Sequence, residues 1–390
     1  MGGSQLNALE LASSMSRYGY EPVVYAAPGV LTDVVRDLGL EWAEAPASHD
    51  PGLAWSRQLH QVVQQRGIQM VHTFEWRPGI KAALAGRLKV PTLMSVMAMD
   101  VPAFLPKHLP ITVGTPALRR KMLAQGRTSH LLEPPVDLAH HDVAGTSELA
   151  AARARWQVPE NAVVVSMVTM LTTALEKLQG VLEAIRVVDR LAVTQPLRLL
   201  IAGDGEGTEV VRRRAEDANR RHGQMVIQPV GFQLDPTSVY AAADVMLGMG
   251  ASALTGMAHG KPLVVQGEAG FWKVVDENTA DGFVDGGWFG HGGAGSGDLK
   301  RALEQLMAQP ALRSHLGAYG RTLMERRYGM DAAAAHLAAI YVATALGRPD
   351  RREVASSMAR SMAGGAKYLA AKRFGSVVGR EQWAREGAVV

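Results

Sequence analysis

The sequence contains no cysteine in its 390 residues. This absence excludes disulfide bonds, thiolate nucleophiles and cysteine-ligated zinc, and it suits a reducing compartment. Long apolar runs are absent too, since no segment approaches the roughly 18 to 20 consecutive apolar residues that a membrane-spanning helix needs. From these two absences we predict a cytoplasmic protein.

A charge excess is also missing from most of the chain. The net charge is +4, and residues 351–390 alone hold eight Lys or Arg against three Glu, so the other 350 residues are about neutral. We therefore expect no nucleic-acid partner, and we confine any weak attraction to an anionic membrane to a basic tail, 347–390. This tail has a basic amphipathic helical pattern that Gly364 and Gly365 interrupt, so a flexible tail is the alternative.

What the chain does contain is enough apolar sequence for a large core: 47% of its residues are hydrophobic and 20% are charged. Short apolar runs alternate with stretches of helical periodicity, which predicts an α/β protein built from parallel βα units. The predicted strands lie at 22–27, 69–73, 91–96, 111–114, 162–166, 197–203, 226–231, 244–247 and 262–266.

This alternation predicts two doubly wound, Rossmann-like domains that face a cleft. The first domain is expected at 1–150 and the second at 151–330, and a helix at 331–346 is expected to pack back on the first. Ligands of such sheets bind beyond the carboxyl ends of the strands.

The first residues place a glycine loop and a helix at Met1 to Glu10 without a strand in front of them. A βα loop without its strand is incomplete, so the pattern lacks the first strand of this domain. Two explanations remain: the chain is truncated, which we favour on topology, or the sheet has lost a central strand.

The segment 241–270 has the pattern of a phosphate site. A short apolar strand ends at Leu247, Gly248 and Gly250 permit a tight turn, and a helix follows whose free N–H groups would face an anion. No carboxylate occurs between Met246 and Val265. The simplest alternative is a plain βα turn.

Several fragments, in order over more than 300 residues, carry a family likeness: Gly2-Gly3-Ser4, His72-Thr73, and the runs 200–206, 230–232, 240–245 and 257–262. In this order the chain resembles the retaining GT-B glycosyltransferases of the large glycogen-synthase-like and sucrose-synthase-like group, glycosyltransferase family 4 type. The resemblance implies two Rossmann-like domains and transfer of a sugar from a nucleotide diphosphate to a glycan, lipid or small-molecule acceptor. It implies no metal and no cofactor.

The resemblance also assigns residues at the donor site. Lys177 stands where the family has its phosphate lysine, whereas Met170 occupies the place of the companion arginine. Thr255 stands where the family has the second glutamate of a pair, and the first has no clear counterpart. Glu268 is the nearest carboxylate able to replace them. The donor-site motif is therefore degenerate.

We predict Lys177 and Glu268 as catalytic residues. The expected nucleotide-sugar contacts are Gly203, Asp204, Gly231, Phe232, Gly248, Gly250 and Ser252, and the expected acceptor-side residues are Gly2, Gly3 and His72. Each has a structural alternative: a solvated lysine at a helix start, tight turns for the glycines, a cap for Glu268 and a satisfied core histidine for His72. His259, near a helix end, is expected to be structural.

Two other functions stay open. The degenerate donor motif also fits a weakened or inactive GT-B paralogue that acts as a binding or scaffold subunit. A sugar-nucleotide epimerase is the third reading, although its catalytic carboxylates have no clear counterpart. The glycine-rich run 286–297 is expected to be a disordered connector or a mobile loop that presents Trp288 or Phe289.

Overall fold

The computed structural model describes residues 3–46, 53–84, 90–347 and 350–374. The chain divides into two compact units: unit 1 comprises residues 1–135 and 330–390, and unit 2 comprises residues 136–329. The sequence-based boundary at residue 150 falls inside a helix, Thr146–Arg155. The units instead divide just after the proline pair Pro134-Pro135, where the chain has no regular structure.

The described residues of unit 1 form six strands in two parallel sheets, of order β1-β2 and β3-β4-β5-β6. Its elements are α1 Gly3–Met15, β1 Val23–Ala26, α2 Thr32–Asp37, β2 Glu41–Glu44, α3 Leu53–Gln65, β3 Val71–Phe74, α4 Trp76–Leu84, β4 Thr92–Val96, β5 Ile111–Val113, α5 Pro116–Ala124, β6 Ser129–Leu131, α14 Met330–Leu346 and α15 Arg351–Phe374.

The first helix of unit 1 packs on the helix that returns from the end of the chain. Leu11 and Met15 on α1 are buried together with Leu337 and Ile340 on α14, and Leu93 of β4 completes this cluster. The apolar spacing of α1 thus serves a helix-to-helix contact within unit 1.

The last described helix, α15, also belongs to unit 1. Its buried side chains Ser357, Ser361 and Tyr368 follow helical spacing, and the Tyr368 ring contacts Trp76 and Phe104. The expected interruption at Gly364 is wrong, because the helix continues through it: a Cβ there would lie 2.5 Å from the Cβ of Phe104. Glycine therefore permits the close packing of α15. Residues 375–390 lie outside the described part of the chain.

Unit 2 contains a six-stranded sheet of order β12-β11-β10-β7-β8-β9, parallel except for β12. Its elements are α6 Thr146–Arg155, β7 Val163–Val168, a 3-10 turn Ala174–Glu176, α7 Lys177–Leu191, β8 Leu197–Ala202, α8 Thr208–His222, β9 Ile227–Gly231, α9 Thr237–Ala242, β10 Val245–Gly248, α10 Ala251–Ala258, β11 Leu263–Gln266, β12 Trp272–Val274, α11 Ala280–Gly286, α12 Ser296–Ala308 and α13 Pro310–Arg327.

The strand predictions agree with this fold. All nine predicted strands are present, and β8 is buried at every residue, as expected of a central strand with helices on both faces. Three short strands were missed: β2, β6 and β12 have three or four residues each, too few for an alternating pattern to stand out. The α/β prediction with doubly wound parallel sheets is confirmed.

No helix in the described part of the chain is both long enough and apolar enough to cross a membrane.

Candidate functional site

The loops that follow β7, β8, β10 and β11 lie at one edge of the unit 2 sheet, because these four strands are parallel neighbours. This edge is the usual ligand-binding edge of a doubly wound sheet. Most of the predicted catalytic and donor-site residues of unit 2 lie in these loops or at the helix starts that follow them.

Lys177 is the first residue of α7, and its position is fixed by unusual local geometry. The two preceding residues, Leu175 and Glu176, have positive φ angles of 54° and 51°. The Gln266 amide at the end of β11 donates to the carbonyl oxygens of Glu176 (3.0 Å) and Lys177 (3.4 Å). Gly180 is needed here, since a Cβ would overlap that amide. The start of α7 is therefore tied to β11.

The Lys177 ammonium group is a positive charge that no neighbouring side chain among the described residues neutralises. It is half-buried, and burial lowers the pKa of Lys177 below its usual range. Among the described residues, its Nζ has no hydrogen-bond or ion-pair partner. A desolvated cation without a counter-charge is stabilised by any anion that reaches it.

Glu268 lies in the turn after β11, next to the start of α7. The Glu176 carboxylate accepts a hydrogen bond from the Ala269 N–H (2.9 Å), which joins this turn to the residue before Lys177. Glu268 itself is 8% exposed, and its Oε2 lies 3.8 Å from Nδ1 of His291. The structure thus brings together the segments that carry the two predicted catalytic residues, and it adds His291, which sequence reasoning missed.

The glycine-rich run 286–297 forms one wall of this region. The expectation of a disordered connector or mobile loop is wrong: Trp288 is 2% exposed and its indole N–H donates to the Tyr328 hydroxyl. The backbone of this run packs directly on the backbone of the turn after β11. A Cβ on Gly293 of the run would lie 2.4 Å from the Gly270 carbonyl oxygen of the turn, and a Cβ on Gly267 of the turn would overlap Gly290 of the run. Glycine content here signals close packing.

Gly203 and Gly205 follow β8 and lie against the loop after β7. A Cβ on Gly205 would lie 2.6 Å from the Leu171 carbonyl oxygen, and one on Gly203 would overlap the Thr169 carbonyl oxygen. Their φ angles, 148° and 150°, also favour glycine. These glycines are required by the packing of two loops, whatever they contact in addition.

Asp204 and Glu206 stabilise the same loops. The Asp204 carboxylate accepts hydrogen bonds from the Thr208 hydroxyl and the Gly205 N–H, which lower its pKa. Glu206, which sequence reasoning missed, accepts from the N–H and the hydroxyl of Thr173, both at 2.7 Å. Both carboxylates therefore hold these loops in place through hydrogen bonds from backbone N–H groups and threonine hydroxyls.

Gly231 and Phe232 end β9 at the same edge. Gly231 has a φ angle of 71°, its carbonyl oxygen accepts from the Gly203 N–H, and the Phe232 side chain is 53% exposed. Met170, after β7, is 42% exposed. Two apolar side chains are therefore open to a ligand at this edge.

The turn between β10 and α10 contains the three remaining donor-site predictions. Gly248 is buried at the end of β10, and Gly250, with a φ angle of 55°, donates its N–H to the Trp288 carbonyl oxygen. The Ser252 hydroxyl donates to the Met249 carbonyl oxygen at 3.0 Å. The turn has the geometry that the sequence predicts, and the serine hydroxyl is engaged within it.

In unit 1, His72 lies on β3 with both ring nitrogens engaged. Nδ1 is hydrogen-bonded to the Tyr341 hydroxyl (2.8 Å) and Nε2 to the Ser95 hydroxyl (2.7 Å). Burial lowers the pKa of His72 to about 3. The structure thus places His72 as a neutral link between β3, β4 and α14. Gly2 lies outside the described residues, and Gly3 begins α1.

Sequence reasoning missed Glu75, the first residue after β3. It has a φ angle of 70°, and its N–H donates to the Ser95 carbonyl oxygen at 2.8 Å. Burial raises the pKa of Glu75, against the opposing effect of hydrogen bonds from the Ser4 side chain and the Met97 backbone. The signal was available in principle, since a carboxylate directly after a strand lies at the ligand-binding edge of a parallel sheet.

Within the described ranges, no group of three or more His, Asp or Glu side chains is arranged to hold a metal ion.

Comparison with known proteins finds a family match within unit 2. Residues 152–323 match the family model described as glycosyl transferases group 1. A search of curated protein sequences finds no significant match.

Solved structures match nearly the whole chain. A glycosyltransferase from Rickettsia africae ESF-5 superposes with a TM-score of 0.72 at 15% identity, over 89% of this chain and 96% of that one. HepE from Anabaena, in complex with UDP-glucose, gives 0.68 at 14% identity over 88% and 96% of the two chains. WaaG, a glycosyltransferase involved in lipopolysaccharide biosynthesis, gives 0.62 at 14% identity over 87% and 96%.

The solved structures confirm the predicted GT-B fold, and the family match of residues 152–323 bears out the prediction of a glycosyltransferase. The narrower assignments, to glycosyltransferase family 4 and to a degenerate donor motif, stay predictions.

Proposed function

We propose that this chain, in which residues 152–323 form a glycosyl transferases group 1 domain within a GT-B fold, transfers a sugar from a nucleoside diphosphate to an acceptor hydroxyl with retention of configuration. The bond between the anomeric carbon and the β-phosphate oxygen breaks, and a bond from the acceptor oxygen forms on the same face. The acceptor proton passes to the departing phosphate oxygen, so the reaction needs no separate base.

The observation that carries this proposal is the unbalanced charge of Lys177. The barrier to transfer lies largely in the negative charge that develops on the leaving diphosphate, and fixed positive charge near it lowers that barrier. Lys177 is half-buried, without a counter-charge among the described residues, and sits at the N-terminus of a 15-residue helix. The helix adds about half an elementary charge at this end.

We propose that transfer is independent of metal because these groups supply the positive potential. The N-terminus of α10, after the turn at Gly250, faces the same edge as that of α7 and adds a second partial charge. We assign Glu268 to a sugar hydroxyl, because the turn that carries it is joined to the start of α7 by the hydrogen bond from the Ala269 N–H to the Glu176 carboxylate.

The donor assignment starts from UDP. HepE from Anabaena, whose fold this chain shares, was solved with UDP, with UDP and glucose, and with UDP-glucose. We assign the nucleotide sugar to the loops of unit 2. We assign a glycan, lipid or small-molecule acceptor to unit 1, where Glu75 is the carboxylate best placed to orient an acceptor hydroxyl.

We propose the cellular location of the protein from its composition. The absence of cysteine supports the cytoplasm, and the exposed Arg352, Arg360 and Lys367 on α15 support weak contact with an anionic membrane surface.

The test is a transfer assay on the purified full chain, preceded by thermal melting with a panel of nucleoside diphosphates. We expect UDP to raise the melting temperature, one UDP-sugar to be consumed, and product NMR to show the anomeric configuration of the donor. Chelator should leave the rate unchanged. Inverted product would overturn retention, and nucleotide binding without turnover would instead support an inactive paralogue. A melting temperature that no nucleotide raises would overturn the donor site.

A further inference from the structure

Trp288 has a backbone conformation that a tryptophan rarely adopts. Its φ angle is 61°, and the preceding Gly287 has a φ angle of 90°. The left-handed region strains a bulky residue, and such strain persists only where the surrounding structure enforces it. Glycine would remove the strain, and it occupies most other positions of the run 286–297. The indole of Trp288 must therefore make contacts that outweigh the strain.

The indole ring is held by two aromatic neighbours. It stacks on the Phe283 ring of α11, with ring centroids 5.9 Å apart and an interplanar angle of 17°, and it meets the Tyr328 ring edge-on at 6.0 Å. The indole N–H donates to the Tyr328 hydroxyl at 3.0 Å, and the backbone N–H of Trp288 donates to the Phe283 carbonyl oxygen at 3.0 Å. These contacts fix both the side chain and the backbone of Trp288.

The partner of the indole, Tyr328, lies where the chain enters and leaves unit 2. Its side chain is buried, and its carbonyl oxygen accepts a hydrogen bond from the Val136 N–H at 2.8 Å. Val136 also forms a parallel β-bridge with Gly329. Val136 is the first residue of unit 2 and Gly329 is the last. The hydroxyl that receives the indole N–H is therefore anchored by the pairing of two distant segments.

The carbonyl oxygen of Trp288 holds the turn that begins α10. It accepts a hydrogen bond from the Gly250 N–H at 3.0 Å. Gly250 is the N-cap of α10, and its φ and ψ angles of 55° and −128° are suited to glycine alone. The first two N–H groups of the helix, at Ala251 and Ser252, have no partner among the described residues and are available to an anion.

One series of hydrogen bonds thus runs from Val136 through Tyr328 and Trp288 to Gly250. Hydrogen bonds weaken steeply when the N–H points away from its acceptor. The direction of the first N–H groups of α10, which Gly250 sets, therefore decides how well this helix binds a phosphate oxygen. Trp288 adopts its strained φ angle because its carbonyl oxygen reaches Gly250 while its indole reaches Tyr328.

From this series of contacts, we propose that Trp288 and Tyr328 are positioning residues that orient the first N–H groups of α10 toward the donor diphosphate without touching it. These roles rest on the proposed function, in which the diphosphate lies at the N-terminus of α10. They add two residues to the donor site that act only through Gly250.

The experiment measures the Kd for UDP by calorimetry and the Kd for uridine by NMR titration, on the full chain. Tyr328→Phe keeps the ring and removes only the hydroxyl that orients the indole. We expect the Kd for UDP to rise about fivefold, the loss of one useful hydrogen bond, and the Kd for uridine to stay unchanged, because uridine has no phosphate. A merely structural role would not separate the two ligands in this way.

Tyr319→Phe is the matched control. Tyr319 packs against the same hydrophobic cluster as Trp288 and Tyr328, and its hydroxyl is not the partner of the indole. This variant should bind UDP and uridine as the wild type does. The melting temperature without ligand shows that each variant is folded.

A double variant tests whether the two residues act together. Trp288→Phe should raise the Kd for UDP about tenfold, and adding Tyr328→Phe should raise it no further, because both changes remove the same hydrogen bond. The proposal is overturned if Tyr328→Phe binds UDP as the wild type does, if it weakens uridine as much as UDP, or if the two effects multiply. A wild type that does not bind UDP would overturn the proposed donor site together with these roles.

Discussion

The two units differ in what they offer at the edges where their parallel strands end. In unit 2 the central group is Lys177, a half-buried cation whose charge no described side chain balances. In unit 1 the corresponding groups are His72, whose ring nitrogens are both hydrogen-bonded, and Glu75, a carboxylate whose pKa burial raises. Similar loops on similar sheets are therefore suited to different ligands: unit 2 to an anion, unit 1 to a neutral hydroxyl.

The largest expected effect removes the cation. Lys177→Met keeps the length of the side chain but loses a charge-assisted contact of about 1.5–3 kcal/mol, so the Kd for UDP should rise about 10- to 150-fold by calorimetry. Lys273→Met is the matched control, because Lys273 is exposed on β12 of the same unit. An equal Kd for UDP in Lys177→Met and Lys273→Met would contradict the assignment of an anion-binding role to Lys177 in unit 2.

The next prediction concerns the unit 1 carboxylate. Glu75→Gln should lower kcat/KM for the acceptor about tenfold, because the amide is a weaker acceptor than the carboxylate, and should leave the Kd for UDP unchanged. Since burial raises the pKa of Glu75, its acid form is the one that favours folding. The wild type should therefore lose stability as the pH rises through that pKa, above 4.5, and Glu75→Gln should not. A changed Kd for UDP in Glu75→Gln would contradict the assignment of the donor to unit 2 and of the acceptor to unit 1.

A smaller effect should follow from adding charge to unit 2. Met170 is 42% exposed after β7, where the family resemblance places an arginine. Met170→Arg should lower the Kd for UDP about two- to fivefold, the value of an exposed charge pair. Leu234→Arg, also at an exposed position of unit 2, controls for net charge. An equal gain in both variants would indicate general attraction only.

The last prediction concerns stability and tests whether His72 is structural. Its pKa is lowered to about 3, so the stability that its neutral form gives is complete above pH 6.5 and is lost as the pH falls toward 3. Over that window, urea unfolding of the wild type should lose up to about 1.4 kcal/mol more per pH unit than His72→Gln, which does not titrate. Parallel profiles would mean that His72 titrates freely and is available to an acceptor.

The sequence predicted more of the fold than of the site. Periodicity found nine strands, and the position of Lys177 at a helix start was correct. Glu206 and His291 escaped because their roles depend on loops from distant parts of the chain: Glu206 bonds to Thr173, 33 residues away, and His291 lies beside Glu268. Trp288 was expected in a loose segment because glycine content was taken as a sign of disorder.

By itself the sequence determined the α/β architecture and the glycosyltransferase resemblance, since apolar periodicity and local turn chemistry act between residues close in the chain. Tertiary structure decided which of these side chains have hydrogen-bond or ion-pair partners. His72 and His259 both have their pKa lowered to about 3 by burial, yet both ring nitrogens of His72 are hydrogen-bonded to side chains of distant elements, whereas the His259 ring stacks on Tyr240. Among the described residues Lys177 has no counter-charge for the same reason: partners are set by distant segments that only folding brings together.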